Sequence, residues 1–185
     1  MDVKNAIQER RAYRSLDPVE ITDGLVRDLA ENARLAPSCF NNQPWRYVFA
    51  YDPEVLKELR PALSKGNEWA HYASMIIAVF SRPDYDCIIR DREYYLFDTG
   101  MATAFLILRA TELGLVAHPI AGYSEKKVKQ ILGIPEDMKV ITLVMVGKHS
   151  ETISPVLSEK QVEAERTRPE RLPFEEIAYI NRYSG

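Results

Sequence analysis

The chain has 185 residues, 46% of them hydrophobic, so it is long enough for one sizeable core, and we expect a single domain over residues 1–185. The formal net charge of -3 gives no overall attraction to nucleic acid or to an anionic membrane surface, and we expect neither as a partner. The apolar run 75–80 is far shorter than the roughly 20 residues of a membrane-spanning helix, and residues 1–11 lack the apolar stretch of a signal peptide. We therefore expect a cytoplasmic protein.

Two helices are predicted at the start of the chain. The first has apolar residues at helical spacing from Val3 to Ile7 and leads into a basic cluster. The second is capped by Thr22 or Asp23 and stops before Pro37.

The next segment predicts two strands with helices between them. Aromatic residues alternate over 45–51, which predicts a strand, and Asp52 then caps a third helix. Residues 64–74 predict a short helix. The continuous apolar run 75–81 predicts a buried strand, and the polar segment that follows it is predicted to be irregular.

The strongest helix pattern spans about residues 91–113, and Gly114 supplies its C-terminal stop. The side of this helix that we predict to be buried carries Leu96, Met101, Ala104, Leu108 and Thr111. Residues 115–123 are predicted to form a loop, followed by a short helix from Ser124 to Gly133. Another buried strand is predicted from Val140.

Residues 149–185 are charged and predict an extended C-terminal tail. Its apolar patch over 177–180 cannot fold alone but suits an added edge strand on a neighbouring subunit, which suggests a dimer. The irregular alternation of helices and strands predicts an α+β fold with a mixed sheet. The two cysteines, Cys39 and Cys87, and the three scattered histidines fit no metal-ligand spacing, so we expect neither a metal site nor a disulfide framework.

Three arginines, Arg10, Arg11 and Arg14, lie within about one and a half helical turns at the end of the first helix. Their guanidinium groups repel one another unless they share an anion, and arginine can donate two parallel hydrogen bonds to phosphate. A solvated basic face is the alternative interpretation.

Four polar side chains, Ser38, Asn41, Asn42 and Gln43, occupy one turn before the aromatic strand. A side-chain amide offers a donor and an acceptor together, which matches the imide edge of a flavin or a nucleobase. Alternatively, these are turn residues that satisfy local backbone groups.

Four segments, RRAYRSLDP, APSCFNNQPWRYV, HPIAGYSEKKVKQILGIPED and RLPFEEI, follow one another along nearly the whole chain. In this order they resemble the FMN-dependent nitroreductase family. The resemblance implies an α+β fold and an intertwined homodimer with FMN at the interface, in which the C-terminal extension 149–185 reaches onto the partner.

The resemblance also implies roles for individual residues. Arg10 and Arg11 match positions that hold the phosphate and ribityl region of FMN, and Arg14 matches a basic position near flavin N1 and O2, where it raises the reduction potential. Others match positions around the flavin: Ser38, Asn41 and Gln43, expected from the partner subunit, and Pro119, Ile120, Ala121 and Gly122, whose backbone faces the central ring. Gly122 permits close approach of the backbone, although a plain turn would also explain a glycine there.

Arg171 matches a position that completes the phosphate site, and Arg168 is a second candidate. Some family members have a lysine where this chain has Pro169, which leaves the choice between the two arginines open. Ala12 stands where relatives often have serine, so one hydroxyl contact to FMN is missing and affinity is expected to be modest.

The implied activity is a ping-pong transfer of hydride from NAD(P)H through flavin N5 to an electron-poor acceptor such as a nitroaromatic or quinone. No acid–base residue is required, because the cofactor supplies the chemistry. Two alternatives stay open: a specialised flavin dehydrogenase or dehalogenase of the same superfamily, and a non-catalytic FMN-binding storage or regulatory protein. The choice between NADH and NADPH, and the physiological acceptor, also stay open.

Overall fold

The computed structural model describes residues 1–185. Its helices are α1 Val3–Glu9, α2 Asp23–Ala33, α3 Pro53–Leu59, α4 Tyr94–Glu112, α5 Glu125–Leu132, α6 Glu159–Arg166 and α7 Phe174–Ile177. Its strands are β1 Leu16–Asp17, β2 Arg46–Ala50, β3 Met75–Ser81, β4 Ile88–Ile89, β5 Arg92–Glu93, β6 Leu115–Ile120 and β7 Lys139–His149. None of the helices combines the length and apolar content that a membrane crossing requires.

The main sheet is built around β7, the longest strand. β3 pairs with one side of β7 and β2 extends the sheet beyond β3, while β6 pairs with the other side of β7. Helices and sheet together give the predicted α+β class. Every pairing within the chain is antiparallel, so a parallel component of the expected mixed sheet would require a strand from outside the chain.

The sheet is covered on both faces, which explains why the sequence of β3 is continuously apolar. Met75, Ile77 and Val79 point into a core formed with α2 and α4. The alternate residues of β3 point into a second core on the other face, which includes Leu59 of α3 and Val128 of α5. The predicted strand over 75–81 and the helices capped by Asp52 and Ser124 are confirmed.

The predicted buried side of α4 is wrong. The side chains that face the core include Ala102, Leu106 and Ala110, whereas Leu96 is partly exposed and Phe97 is 64% exposed. The helix is apolar on nearly all sides, so periodicity alone could not identify the side that faces the sheet. The structure leaves a second apolar face of α4 uncovered within one chain.

Residues 115–120, predicted as a loop, form β6. β6 contains Pro119 but lies at the edge of the sheet, where a missing backbone donor is tolerated. The buried His118 ring is satisfied by the backbone carbonyl of Tyr13, which lies 3.0 Å from its Nδ1. A contact distant in sequence therefore satisfies the buried ring of this strand.

The C-terminal tail is not wholly extended, because it contains α6 and α7. Ser158 and Gln161 form a reciprocal capping box at the start of α6, a local signal that the sequence analysis missed. Beyond α6 the tail stays exposed, including Phe174 and Ile180. The apolar patch at its end has no partner within the chain.

The expectation that the cysteines form no disulfide is also wrong, because Cys39 and Cys87 are joined by one. Their sequence separation of 48 gave no spacing signal, and folding places their Cα atoms 6.0 Å apart. Cys39, Asp86 and Cys87 offer potential metal ligands within 4.8 Å of one another, but both sulfur atoms are bonded to each other.

Candidate functional site

Five arginines from the two ends of the chain line one cavity of about 180 Å³, which we call the arginine cavity. No acidic residue lines it. Its lining consists of Arg10, Arg11, Ala12, Arg14, Ala164, Arg168, Pro169 and Arg171. The structure therefore brings together all five arginines that the sequence analysis selected, together with both positions where the chain departs from its relatives.

The cavity forms because the segment after α1 packs against α6. Glu165 of α6 is buried, and its carboxylate accepts the backbone N–H of Arg14 at 2.5 Å and that of Ser15 at 3.2 Å. These bonds use a carboxylate to satisfy two backbone donors far away in sequence. Glu165 is not predicted from the sequence, because one glutamate in a charged tail produces no pattern.

Arg11 is partly occupied by this packing. Its Nη2 donates to the carbonyl oxygens of Ala164 at 2.8 Å and Glu165 at 3.1 Å, in the last turn of α6, and its guanidinium stacks on the Tyr13 ring at 4.5 Å. An arginine at a helix C-terminus satisfies carbonyl groups that have no partner within the helix. Arg11 therefore fixes the wall of the cavity.

The charges of the remaining arginines are not balanced inside the cavity. The pKa of Arg10 is lowered, first by burial and then by the positive charges of Arg168 and Arg171. Arg168 donates to the carbonyl oxygen of Gln8 and Arg171 to that of Pro169, both neutral acceptors. Such a group of cations is stabilised by an anion with several acceptor oxygens, and a phosphate group fits this description.

An aromatic layer lies beneath Arg14. The Arg14 guanidinium is 5.9 Å from the centroid of the Trp69 ring, and Trp69 stacks on His118 with 4.6 Å between ring centroids. Burial lowers the pKa of Arg14, and the negative charge of Glu165 acts in the opposite direction. The layer connects the arginine cavity to β6 and to the segment that follows it.

Stability is expected to depend on the protonation of His118. Burial lowers the pKa of this side chain to about 4, from about 6.5 in an unfolded chain. The unfolded chain binds more protons between these values, so the contribution of His118 is complete above about pH 6.5 and is lost as the pH falls toward 4. We expect the free energy of unfolding to fall by about 2–3 kcal/mol over this window from this group alone.

Urea unfolding of the wild type and His118→Phe at several pH values measures this effect. Phenylalanine retains an aromatic ring against Trp69 but cannot take up a proton, so the variant should have the shallower pH dependence. Equal slopes for the two proteins would contradict the assignment.

The segment Pro119–Gly122 follows the aromatic layer. Its glycine is closely packed within the chain: a Cβ atom on Gly122 would lie 2.5 Å from Nδ2 of Asn67, which would have to move, and 3.3 Å from Cβ of Ser64. The Gly122 carbonyl accepts hydrogen bonds from the Ser64 N–H at 2.9 Å and from the Asn67 amide at 3.0 Å. These contacts account for the glycine, and the approach of a flavin to this segment stays a prediction.

Gly122→Ala is expected to destabilise the fold by about 1–3 kcal/mol, because the new methyl group overlaps the Asn67 side chain. The cost should shrink when Asn67 is also replaced by alanine, which removes the overlapping amide. Chemical unfolding of both single variants and the double variant measures this coupling. Simple additivity of the two changes would mean that the overlap is not the cause.

The loop over residues 38–43 does not line the arginine cavity of the same chain. Within the loop, Ser38 Oγ accepts the backbone N–H of Gln43 at 3.0 Å, and the Gln43 amide donates to the carbonyl of Asn41 at 3.2 Å. Asn41 and Gln43 are exposed. Their predicted role at a flavin contributed by two chains stays a prediction, and Ser38 is engaged in holding the loop.

Known proteins that resemble this chain include a protein family, individual enzymes and a solved structure. Residues 7–70 and 64–148 match the model of the nitroreductase family. The chain is similar to an NADH dehydrogenase of Thermus thermophilus, with 25% identity over 182 residues, 82% of this chain and 88% of that protein. It is also similar to an iodotyrosine deiodinase of Haliscomenobacter hydrossis, with 27% identity over 174 residues and 78% of each chain covered.

A solved structure described as an oxidoreductase containing FMN matches this chain with a TM-score of 0.85 at 29% identity. The match covers 100% of this chain and 94% of the other. It therefore includes both ends of the chain, where the arginines of the cavity lie.

Proposed function

Because this chain belongs to the nitroreductase family, we propose that it is an FMN-dependent oxidoreductase that uses NAD(P)H to reduce an electron-poor acceptor, such as a nitroaromatic or a quinone. The observation that carries the proposal is the arginine cavity, which is lined by five arginines and by no carboxylate. A similar solved structure contains FMN, whose phosphate has the charge and the acceptor oxygens that these residues lack.

The residues of the cavity have distinct tasks in this proposal. Arg10, Arg168 and Arg171 hold the FMN phosphate, since they are the arginines whose positive charges act on one another. Arg11 fixes the cavity wall through its bonds to α6, and Arg14 supplies positive charge toward the ring. Ala12 lines the cavity without a hydroxyl group, which is consistent with modest affinity.

The residues of the arginine cavity would hold FMN, and the bound cofactor would supply two-electron chemistry for a ping-pong cycle between NAD(P)H and the acceptor. The protein needs no acid–base residue for this, so we assign no catalytic residue. Arg14 lowers the free energy of negative charge near the ring. The buried Trp69 ring packs beneath Arg14 and His118 stacks on Trp69. Because the pKa of His118 is low, this side chain is neutral near pH 7 and Arg14 supplies the positive charge.

We place the protein in a homodimer that completes the site. Support comes from the exposed apolar side chains of α4, Phe97 and Phe105, and from those of the tail, including Phe174 and Ile180. Several exposed large apolar side chains on one helix and one tail are typical of subunit interfaces. In this arrangement α6 packs against its own chain, and the end of the C-terminal extension 149–185, beyond α6, reaches onto the partner. Ser38, Asn41 and Gln43 face the flavin bound mainly by the other chain.

The test of the proposed function uses the purified protein reconstituted with FMN under anaerobic conditions. NADH or NADPH should bleach the flavin absorption, and a quinone or nitroaromatic should restore it. A stable yellow protein that responds to neither nucleotide would instead support the storage or regulatory alternative. Failure to bind added FMN would overturn the cofactor assignment.

The similarity to an iodotyrosine deiodinase favours one second candidate, reductive dehalogenation at the same site. It differs from the first proposal only in the acceptor. Release of halide from a halogenated phenol by the reduced protein, faster than turnover of quinones, would favour it.

Arg14→Ala and Arg171→Ala are expected to behave differently. Arg171→Ala should weaken FMN binding with little change in the midpoint potential of the bound flavin. Arg14→Ala should also lower the potential, by about 30–60 mV if one charge-assisted interaction with the reduced state is lost. Spectroelectrochemical titration of both variants measures this, and equal potentials would contradict the two roles.

A further inference from the structure

The loop over residues 38–43 has an unusual backbone. Three residues other than glycine have left-handed φ values: Phe40 at 47°, Asn41 at 59° and Gln43 at 51°. Such conformations are sparsely populated and persist only where the surroundings hold them. The side chain of Phe40 cannot hold the loop, because it is 89% exposed.

Besides the hydrogen bonds within the loop and from Arg46, three attachments join this loop to a second segment, residues 86–98. The Cys39 N–H donates to Asp98 Oδ2 at 2.7 Å, the Asn42 amide donates to Asp86 Oδ1 at 3.3 Å, and Cys39 is covalently bonded to Cys87. The disulfide is the one covalent attachment among them. One attachment of the loop that presents Asn41 and Gln43 is therefore a bond that can be made and broken.

The residues around the disulfide bear on how it can be reduced. Both cysteines are partly exposed, so a thiol reagent can reach them. Asp86 and Asp98 are buried beside them, and burial together with the neighbouring Asp86 raises the pKa of Asp98. Oδ2 of Asp86 receives no hydrogen bond while the disulfide is closed. A cysteine thiol formed on reduction would offer an S–H donor near this carboxylate.

We propose that Cys39–Cys87 is a redox-active disulfide whose reduction by a dithiol releases the loop over residues 38–43 and weakens cofactor binding. The proposal rests on the proposed function for its effect on FMN, but its effect on the loop does not depend on FMN. In the oxidised chain the loop is held in the conformation described above. In the reduced chain, hydrogen bonds alone hold three strained residues.

The exchange balances with a dithiol as the reductant. One thiolate of the reductant attacks a sulfur atom of the Cys39–Cys87 disulfide, and the S–S bond breaks. The products are a mixed disulfide and one cysteine thiolate, and this thiolate takes up a proton. The second thiol of the reductant then displaces the other cysteine. Two electrons and two protons pass to the protein, and the reductant leaves as a disulfide.

The test compares the full-length protein after treatment with oxidised glutathione and after treatment with dithiothreitol, with the reagents removed anaerobically. Free thiols should rise from none to two per chain while far-ultraviolet circular dichroism is unchanged. Amide hydrogen exchange of residues 38–43, measured without FMN, should accelerate about tenfold, and the affinity for FMN should fall about tenfold. Reoxidation should restore both values.

The double variant Cys39→Ser and Cys87→Ser serves as the matched control. It should resemble the reduced wild type in both treatments. Equal exchange rates and equal FMN affinity in the two redox states, or a disulfide that dithiothreitol cannot open in the folded chain, would overturn the proposal. If FMN binds in neither state but exchange still differs, the proposed function fails and the redox-active disulfide stands.

Discussion

Glu165→Ala is expected to destabilise the fold by about 2–5 kcal/mol, a large change for the loss of one buried carboxylate. The substitution leaves the backbone N–H groups of Arg14 and Ser15 without their acceptor, and Ser15 is buried. It also releases the segment after α1 from α6, so that the arginine cavity loses its shape. Urea unfolding monitored by circular dichroism measures the loss.

Glu163→Ala is the matched control, since Glu163 is an exposed glutamate on the same helix. It should change the free energy of unfolding by no more than about 0.5 kcal/mol. Similar effects for the two substitutions would show that helix propensity, and not the buried carboxylate, determines the result. Glu165→Gln should fall between them, because the amide oxygen can still accept one bond.

Arg10→Ala is expected to have opposite effects on the two states of the protein. Affinity for FMN should fall about 30- to 100-fold, which corresponds to the loss of a charge-assisted contact with phosphate. The protein without FMN should be at least as stable as the wild type, because Arg10 is repelled by Arg168 and Arg171. Fluorescence titration and thermal unfolding measure the two quantities.

Arg166→Ala is the control for this prediction. Arg166 is exposed and lies close in sequence to the cavity but does not line it. Its replacement should leave FMN affinity nearly unchanged. A loss of affinity as large as that of Arg10→Ala would mean that overall positive charge, and not the cavity, attracts the cofactor.

The arginines that line the cavity were selected from the sequence, whereas several of the elements that build the cavity were not, and the contacts of these arginines with FMN stay predictions. Arg10, Arg14 and Arg171 could be selected from residue type and motif order, and the structure places them together. Glu165 could not be found, because its role depends on two backbone donors about 150 residues away. Sequence patterns report local periodicity, and a long-range hydrogen bond leaves no periodic signal.

The fold was predictable where the local signals agreed with one another. The apolar run of β3 and the capped helix α5, closed by Gly133 at φ 66°, needed no tertiary information. β6 was not predicted, because Pro119 is acceptable only in an edge strand and the edge is a property of the assembled sheet. The prediction of the buried side of α4 was wrong because a helix that is apolar on several sides has no single apolar face.

Binding of the FMN phosphate in the arginine cavity is tested most directly by the ratio of FMN affinity to riboflavin affinity, measured in the wild type and in Arg10→Ala. Riboflavin lacks only the phosphate, so the ratio isolates this interaction. We expect the wild type to prefer FMN by at least about 100-fold, and Arg10→Ala to lose most of this preference while binding riboflavin normally. A wild type that binds the two flavins equally, or a preference for FMN that survives in Arg10→Ala, would contradict the account.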